Sequence, residues 1–448
     1  DALALQRDMY KKYGLTLRGL MIEKKINPEP FLEFVHDVDF SELNEDITLK
    51  TLLGKIKGKK SIYTNATFKH AKNILKSMGI FQEFEIIFDI KDANYIAKPD
   101  PNSYHIMKKK GINVLFIYPN TFGMNMLPPA IALFSALLKK NGHSVEIFDT
   151  TYYSIDYGID SDGSKMERLN VVPYSMDKKG IRLKNTDWKK DLKELYEDYE
   201  PDLIAISSTE DMWELGMKVL EEMKEYKINN NIPVIAGGVF PTFAPEICIK
   251  NELVDLVCVG EGENALIDLC DKIKNKKEIK DITNCWIKTK SSLQKNSITK
   301  PVDINKTPII DISEFEENRL YRPMTGKVYK MIPIETIRGC PFTCRFCNSP
   351  DQMKLYKGLG HNFFRKKKVD LIFDELKYFK DKHKVEYNYF WADTFLAMNK
   401  NEFEEFCEMY KEINLPFWMQ TRPETINEYN IKRLSEIGLH RISFGIEH

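Results

Sequence analysis

No run of about eighteen apolar residues occurs in the 448-residue chain, so nothing in it reads as a bilayer-spanning helix. Charge of either sign is not in excess: Lys+Arg and Asp+Glu both number 66, which removes any bulk electrostatic argument for nucleic acid or an anionic membrane as partner. Cysteine is scarce, eight residues in all, too few for a disulfide scaffold of this length. The chain opens at Asp1 without an initiator Met, in a charged segment that lacks the apolar core of a signal peptide, as expected of a fragment. These absences predict a soluble, cytoplasmic protein with neither nucleic acid nor membrane as partner. What is present is ordinary globular material, 43% apolar, 12% aromatic and 29% charged. That composition buries real cores, and the length sets an expectation of two to four domains.

Residues 1–106 read as helical for the first fifty positions, with polar breaks at Asn27-Pro28-Glu29-Pro30 and Leu43-Asn44-Glu45-Asp46. Then Lys60 to Asn65 predicts a short strand, Phe68 to Met78 a helix, Phe84 to Phe88 a strand, and Lys98-Pro99-Asp100-Pro101 a loop. This β-α-β pattern behind a helical insertion resembles the haloacid dehalogenase-like phosphatases, in the pyrimidine 5'-nucleotidase-like branch. The resemblance implies that Thr64 and Lys98 are the vestiges of a phosphoryl pocket. The family's nucleophilic Asp and magnesium-binding acidic pair have no counterpart, so no phosphatase activity is expected of this segment. Met107-Lys108-Lys109-Lys110-Gly111 then looks like the natural start of a second protein, as if two reading frames had been joined.

From 107 to 275 strands and helices alternate. Candidate strands are Val114 to Tyr118, Ser144 to Phe148, Leu203 to Ser207, Val234 to Ala236 and Leu256 to Val259, with helices near 129–140, 189–198, 212–225 and 264–274. The pattern predicts a Rossmann-like doubly wound parallel sheet, in which ligands bind at the carboxyl ends of strands. The loops to watch are therefore Pro119 to Pro129, Ser207-Ser208-Thr209, Gly237 to Thr242 and Gly260-Glu261-Gly262-Glu263. Paired glycines after a strand either admit a bulky ligand or only make a tight turn. Together these loops resemble the cobalamin-binding domain that precedes the barrel in one large class of radical SAM enzymes. The resemblance implies cobalamin contacts from Ser207, Ser208, Gly237, Gly238, Gly260 and Glu261. Pro119-Asn120-Thr121-Phe122-Gly123 holds no His, so no imidazole from that loop is expected on the cobalt.

Residues 276–328 read as a lysine-rich connector with a small hairpin, Cys285 to Thr289 and Ser297 to Lys300, its basic runs a solvated face. Lys330 to Ile337 then predicts a strand, and Arg338-Gly339 ends it before Cys340-Pro341-Phe342-Thr343-Cys344-Arg345-Phe346-Cys347. Such spacing lets a short loop wrap three thiolates around one centre. Tetrahedral zinc would want a fourth ligand, and the nearest imidazole is His361. Three thiolates on a four-iron cluster leave one iron open to a chelating ligand. The other cysteines, Cys248, Cys258, Cys270, Cys285 and Cys407, read as buried structural thiols.

Cys-x-x-x-Cys-x-aromatic-Cys after a strand is similar to the radical SAM superfamily motif, and Cys340, Cys344, Phe346 and Cys347 match it without departure. The resemblance implies a [4Fe-4S] cluster on the three cysteines. It implies S-adenosylmethionine on the open iron, cleaved by one electron to a 5'-deoxyadenosyl radical, with Phe346 near the adenine. A reductant such as flavodoxin or ferredoxin follows from the same chemistry. Downstream, helices near 368–381, 401–412 and 427–437 alternate with strands Tyr387 to Trp391, Phe417 to Gln420 and Arg441 to Ile446, which predicts a partial β/α barrel over 329–448 with four strands of the family's usual six. By resemblance Asp393, Arg422 and Glu447, at strand exits, line the S-adenosylmethionine pocket; surface ion pairing is the competing reading. Together these resemblances imply an α/β, cobalamin-associated radical SAM enzyme whose chemistry is methyl transfer or radical rearrangement. A non-catalytic corrinoid- or metal-binding fragment is the alternative from another class, and a phosphatase a more distant one.

Overall fold

The computed structural model describes the chain apart from residues 1, 57–59, 85, 94, 109–110, 124–125, 156–171, 290–291 and 447–448. Two compact units emerge, Asp1–Gly111 and Ile112–His448. In the first, helices Ala2–Tyr13, Thr16–Lys24, Pro28–Val35 and Ile47–Lys55 precede a parallel pair of strands, β1 (Ser61–Tyr63) and β2 (Ile86–Phe88), joined through helix Phe68–Ser77. Local chemistry sets these boundaries. Asn27 caps its helix by accepting from Glu29 N at 3.1 Å with Pro28 at the first position, and Thr67 accepts from His70 N at 3.4 Å. Ala71, Leu75, Ile80 and Ile87 form one small core; Leu17, Leu32, Ile90 and Ala97 form another. A helix, Pro101–Lys108, runs across 106 and 107, where the sequence pattern sets a boundary.

The second unit starts with a seven-stranded sheet: β3 (Asn113–Tyr118), β4 (Ser144–Asp149), β5 (Leu203–Ser207), β6 (Val234–Gly237), β7 (Leu256–Cys258), β8 (Cys285–Lys288) and β9 (Leu293–Lys295). Its order is β4-β3-β5-β6-β7-β8-β9, parallel through β7 and antiparallel beyond. Strand β3 reads Asn-Val-Leu-Phe-Ile-Tyr and is buried along almost its whole length, as a central parallel strand covered on both faces must be. Chain order reverses between β3 and β5, which puts the doubly wound crevice at their carboxyl ends. One expectation needs correcting. The connector hairpin is not separate: β8 pairs with β7 and extends this sheet, and the second strand is Leu293–Lys295, not Ser297 to Lys300. Pairing through Cys258 and Cys285 covers an edge that β7 would otherwise leave open.

A second sheet follows, β10 (Tyr321–Met324), β11 (Lys327–Glu335), β14 (Tyr387–Trp391), β15 (Phe417–Thr421) and β16 (Leu439–Phe444), with β10 antiparallel and the other four parallel. A short antiparallel pair, β12 (Ile337–Arg338) and β13 (Arg365–Lys366), brackets the cysteine loop. Helices Val369–His383, Lys400–Ile413 and Glu428–Glu436 cover one face, and Asn399 and Glu402 close a reciprocal capping box. Period-2 alternation sorts the strands: Ile332, Ile334, Phe390, Phe417 and Met419 turn to the helices, whereas Tyr389 and Trp418 stack at 4.2 Å on the other side. Phe390 is the hub of the helix-side core, meeting Phe395, Phe406, Tyr410 and Phe417 with ring centroids 5.0 to 5.6 Å apart. Its ring is fully buried. Phe390→Ala is therefore expected to cost about 3–5 kcal/mol through the lost transfer energy and the cavity, read as a lower urea midpoint of the full chain.

Candidate functional site

The cysteine loop leaves the sheet at Arg338 and turns at Gly339, whose φ of +84° suits glycine; a Cβ there would lie 2.8 Å from the Phe363 ring and 3.0 Å from its carbonyl oxygen. From this turn the loop runs outward. Cys340 is buried, its sulfur 3.4 Å from the Thr394 hydroxyl. Cys344 is half-buried and accepts from Arg422 Nη1 at 2.8 Å. Cys347 is exposed and accepts from Ser349 N at 3.4 Å, at the start of helix Ser349–Lys357. Phe346 is 69% exposed, a large apolar surface facing outward beside the cysteines.

Asp393 and Arg422 reach this loop from neighbouring strand exits. Ser349 Oγ donates to Asp393 Oδ2 at 3.4 Å, and burial pushes the Asp393 carboxyl above its ordinary value despite that bond. Arg422 lies with its guanidinium 4.7 Å from the Phe342 ring centre and also holds Glu424. Cys340, Cys344, Cys347, Asp393 and Arg422 are thus brought to one end of the second sheet, and Glu447 lies outside the described residues. Among the described residues no three His, Cys, Asp or Glu side chains converge as the ligands of a single ion would. The donor set nevertheless fits a cubane, in which each cysteine binds a different iron and the sulfurs stand apart. The remaining five cysteines are buried, and burial pushes the Cys248 and Cys407 thiols up to about 12, as inert structural thiols require.

Within the same unit, a cavity of about 290 Å³ lies where the first sheet's carboxyl-end loops meet the second sheet; Ser207, Gly238, Gly260 and Glu261 contribute to its lining, with Tyr356 and Trp391 opposite. Gly238 has φ +106°, and a Cβ on it would come 2.7 Å from the Ser208 carbonyl oxygen, so the backbone lip there is as thin as a chain can make it. Thr242 ties the lip together, donating to Gly238 O at 2.8 Å and accepting from Gly260 N at 3.1 Å. Gly237 and Ser208 stand behind the lining; the Ser208 hydroxyl donates to Thr209 O at 2.8 Å. The loop after β3 carries no imidazole, and Asn120 is bonded to Thr150 and Thr151. The thin backbone lip is suited to part of a large cofactor.

Sequence reasoning missed the charges beneath this cavity. Glu261 accepts from Arg338 Nη1 at 3.0 Å, from Arg365 Nη1 at 3.1 Å and from Val302 N at 2.7 Å. Burial works to raise its carboxyl, but the hydrogen bond from Arg365 and the two guanidinium charges hold it below the ordinary value. Arg338 also donates to Glu263 at 2.6 Å and, two-pronged, to Glu335 at 2.7 and 3.1 Å. Glu375 and Lys367 form another buried pair at 2.7 Å on the cavity wall. The Gly-Glu-Gly-Glu run and the Arg before Gly339 were the available signals; their pairing was not. In the first unit Lys98 bonds to the residues on either side of Thr64: its Nζ donates to Tyr63 O at 2.6 Å and its N to Asn65 Oδ1 at 2.9 Å.

Family comparisons agree with this division of labour. A B12 binding domain model matches residues 169–269, and a Radical SAM superfamily model matches 334–448. The chain thus carries a B12 binding domain followed by a radical SAM domain. An uncharacterized methyltransferase, PH0819 of Pyrococcus horikoshii, is 27% identical over 57% of this chain and 54% of its own length. The structure of TsrM, a radical S-adenosylmethionine methyltransferase from Kitasatospora setae with cobalamin and a [4Fe-4S] cluster bound, superposes with TM-score 0.53 at 15% identity, covering 75% of this chain and 61% of that one. OxsB, a cobalamin-dependent S-adenosylmethionine radical enzyme with aqua-cobalamin and S-adenosylmethionine bound, gives 0.54 at 18%, covering 80% and 48%. At these identities the likeness to both structures is one of fold. The chain spans about half the length of PH0819.

Two outcomes follow from the charges. Arg338→Met leaves Glu263 and Glu335 without their guanidinium and should cost about 3–5 kcal/mol, measured by denaturant titration. Asp393 titrates above the unfolded-state value, so its ionisation opposes folding: the stability present while it is protonated is lost as pH rises through its folded pKa. Asp393→Asn should therefore raise the melting temperature of the ligand-free chain at neutral pH, and the gain should vanish below the ordinary aspartate value of 3.8.

Proposed function

We propose that this chain is the cofactor-binding part of a cobalamin-dependent radical SAM enzyme, of the methyltransferase-like kind, acting on a small molecule. The observation that carries the reading is the cysteine loop at the carboxyl edge of a parallel sheet, beginning two residues after Arg338, which lines the glycine-lipped cavity of a doubly wound domain. In this reading Cys340, Cys344 and Cys347 hold a [4Fe-4S] cluster, whose chemistry when bound is one-electron reductive cleavage of S-adenosylmethionine. Asp393, whose carboxylate accepts from the Ser349 hydroxyl beside the cysteine loop, would take the ligand's amino group, and the exposed Phe346 would be covered by its adenine. Ser207, Gly238 and Gly260 would carry the corrinoid. Glu261 is spent on Arg338 and Arg365, and supports the cavity by holding its lip.

Methyl transfer is the reading that the likeness to the uncharacterized methyltransferase PH0819 supports. A flavodoxin- or ferredoxin-like reductant and a cytoplasmic setting belong to the same reading, since the cluster needs low-potential electrons. Among the described residues no helix is long and apolar enough to cross a membrane. For the first unit we infer a haloacid dehalogenase-like fragment, a reading supported by the parallel β1–β2 pair joined through a helix and by the Lys98 bond to Tyr63 O next to Thr64; no activity is assigned to it.

Anaerobic reconstitution with iron, sulfide and hydroxocobalamin tests the proposal. About four iron atoms and about one cobalt should bind per chain, with iron lost in the Cys340→Ser, Cys344→Ser, Cys347→Ser triple variant, and dithionite should release 5'-deoxyadenosine from S-adenosylmethionine. Cobalt and iron uptake without 5'-deoxyadenosine would instead favour a non-catalytic corrinoid- and metal-binding role.

A further inference from the structure

Arg422 sits where a ligand of S-adenosylmethionine is expected, yet its guanidinium is already committed to the cysteine loop. It follows β15 directly, and its side chain is only 17% exposed. Nη1 donates to the Cys344 sulfur at 2.8 Å. One face of the plane lies over the Phe342 ring at 4.7 Å, and the opposite edge, Nε and Nη2, holds the Glu424 carboxylate, with Nε at 3.2 Å from Oε2. A planar fork held on two edges and one face has little freedom to swing towards another anion.

We propose that Arg422 is a positioning residue for the cluster's electronics: through Cys344 it makes the cluster easier to reduce. The inference rests on the reading above, in which Cys344 is a cluster ligand. Reduction adds one electron, supplied by a low-potential one-electron donor of the flavodoxin or ferredoxin class, to a centre whose thiolates already bring negative charge. No bond breaks at Arg422 and no proton moves. An N–H bond to a ligating sulfur, carried by a full positive charge, stabilises the more negative, reduced state, and such bonds are among the levers that set cluster potentials. Glu424 opposes this, but its side chain is 58% exposed and its charge is screened by water, so it offsets only part of the effect.

The test is a potentiometric titration of the anaerobically reconstituted full chain, followed by the electron paramagnetic resonance of the reduced cluster. Arg422→Met should move the midpoint to lower potential by a roughly tenfold change in the reduction constant, about 59 mV for one electron. Arg422→Lys, which keeps the charge and loses the fork, should shift it less. Glu424→Gln should move it the opposite way, because it removes the opposing charge. S-adenosylmethionine affinity, read from its perturbation of the cluster spectrum, should be unchanged in Glu424→Gln. An unchanged midpoint in Arg422→Met together with weakened S-adenosylmethionine binding would overturn the proposal. Should Arg422→Met fail to hold a cluster, an unmoved midpoint in Glu424→Gln overturns it equally. A wild-type chain that takes up no four-iron cluster sinks the functional reading itself, whereas a loaded wild type with variants at the same midpoint sinks only the role of Arg422.

Discussion

Arg338 joins parts of the second unit that are distant in sequence and must be adjacent for the site to exist. Its guanidinium is met by Glu335 from its own strand end and by Glu261 and Glu263 from the loop after β7. Burial alone would weaken its hold on the proton, and the surrounding carboxylates reverse that, so the charge is firmly kept. A complete buried ion cluster is often no more stable than a well-packed apolar replacement, so its value here lies in orientation. Apolar surfaces can slide over one another; a guanidinium with three carboxylate partners cannot. Because Arg338 stands two residues before Cys340, fixing it fixes where the cysteine loop leaves the sheet.

A second chain of contacts closes the same circuit without charge. Phe363 backs the Gly339 turn, Tyr356 stacks on Phe363 at 5.0 Å with the rings nearly parallel, and the Tyr356 hydroxyl accepts from Glu261 N at 2.8 Å. The turn before the cysteines, the helix after them and the lip of the cavity are therefore one packed assembly. Close packing of this kind transmits displacement, since neighbours have no free volume into which to yield. Occupancy of the cavity and the shape of the cysteine loop share a common wall.

Much of this architecture was legible. Strands β3, β5 and β6 announce themselves as short buried apolar runs, β5 ending in Ser207 and β6 in Gly237, and the helices between them by their spacing. The cysteine spacing named its own chemistry because three soft ligands within eight residues need no tertiary information. What escaped was everything set by long-range pairing. Strand β13, two residues long, exists only because Arg365 meets Arg338 across a gap of 27 positions. The hairpin of β8 and β9 has the composition of a solvated connector, and its place on the sheet edge follows from a partner, β7, that its own residues do not specify. For Glu261 the resemblance implies a cofactor contact and says nothing of its ion pairs. Only the fold shows two arginines waiting for it. Likewise nothing local tells Arg422 that Cys344, 78 residues earlier, will be its acceptor.

The cysteine loop is built with a closed half and an open half, and the difference has an energetic meaning. Cys340 is packed against Thr394, and Cys344 is held by Arg422, so these two donors are already oriented and lose little side-chain entropy on taking up a ligand. Cys347 and Phe346 lie on the open half, and Phe346 exposes 69% of its surface. Covering an aromatic side chain returns about 1.5–3 kcal/mol, so a ligand that spreads over the open half gains apolar burial that the free chain leaves unrealised. Preorganised donors fix where such a ligand sits, and the exposed ring rewards its arrival. Asp393 works in the same direction: partial desolvation raises its carboxyl, and a cationic group arriving beside it would offset that.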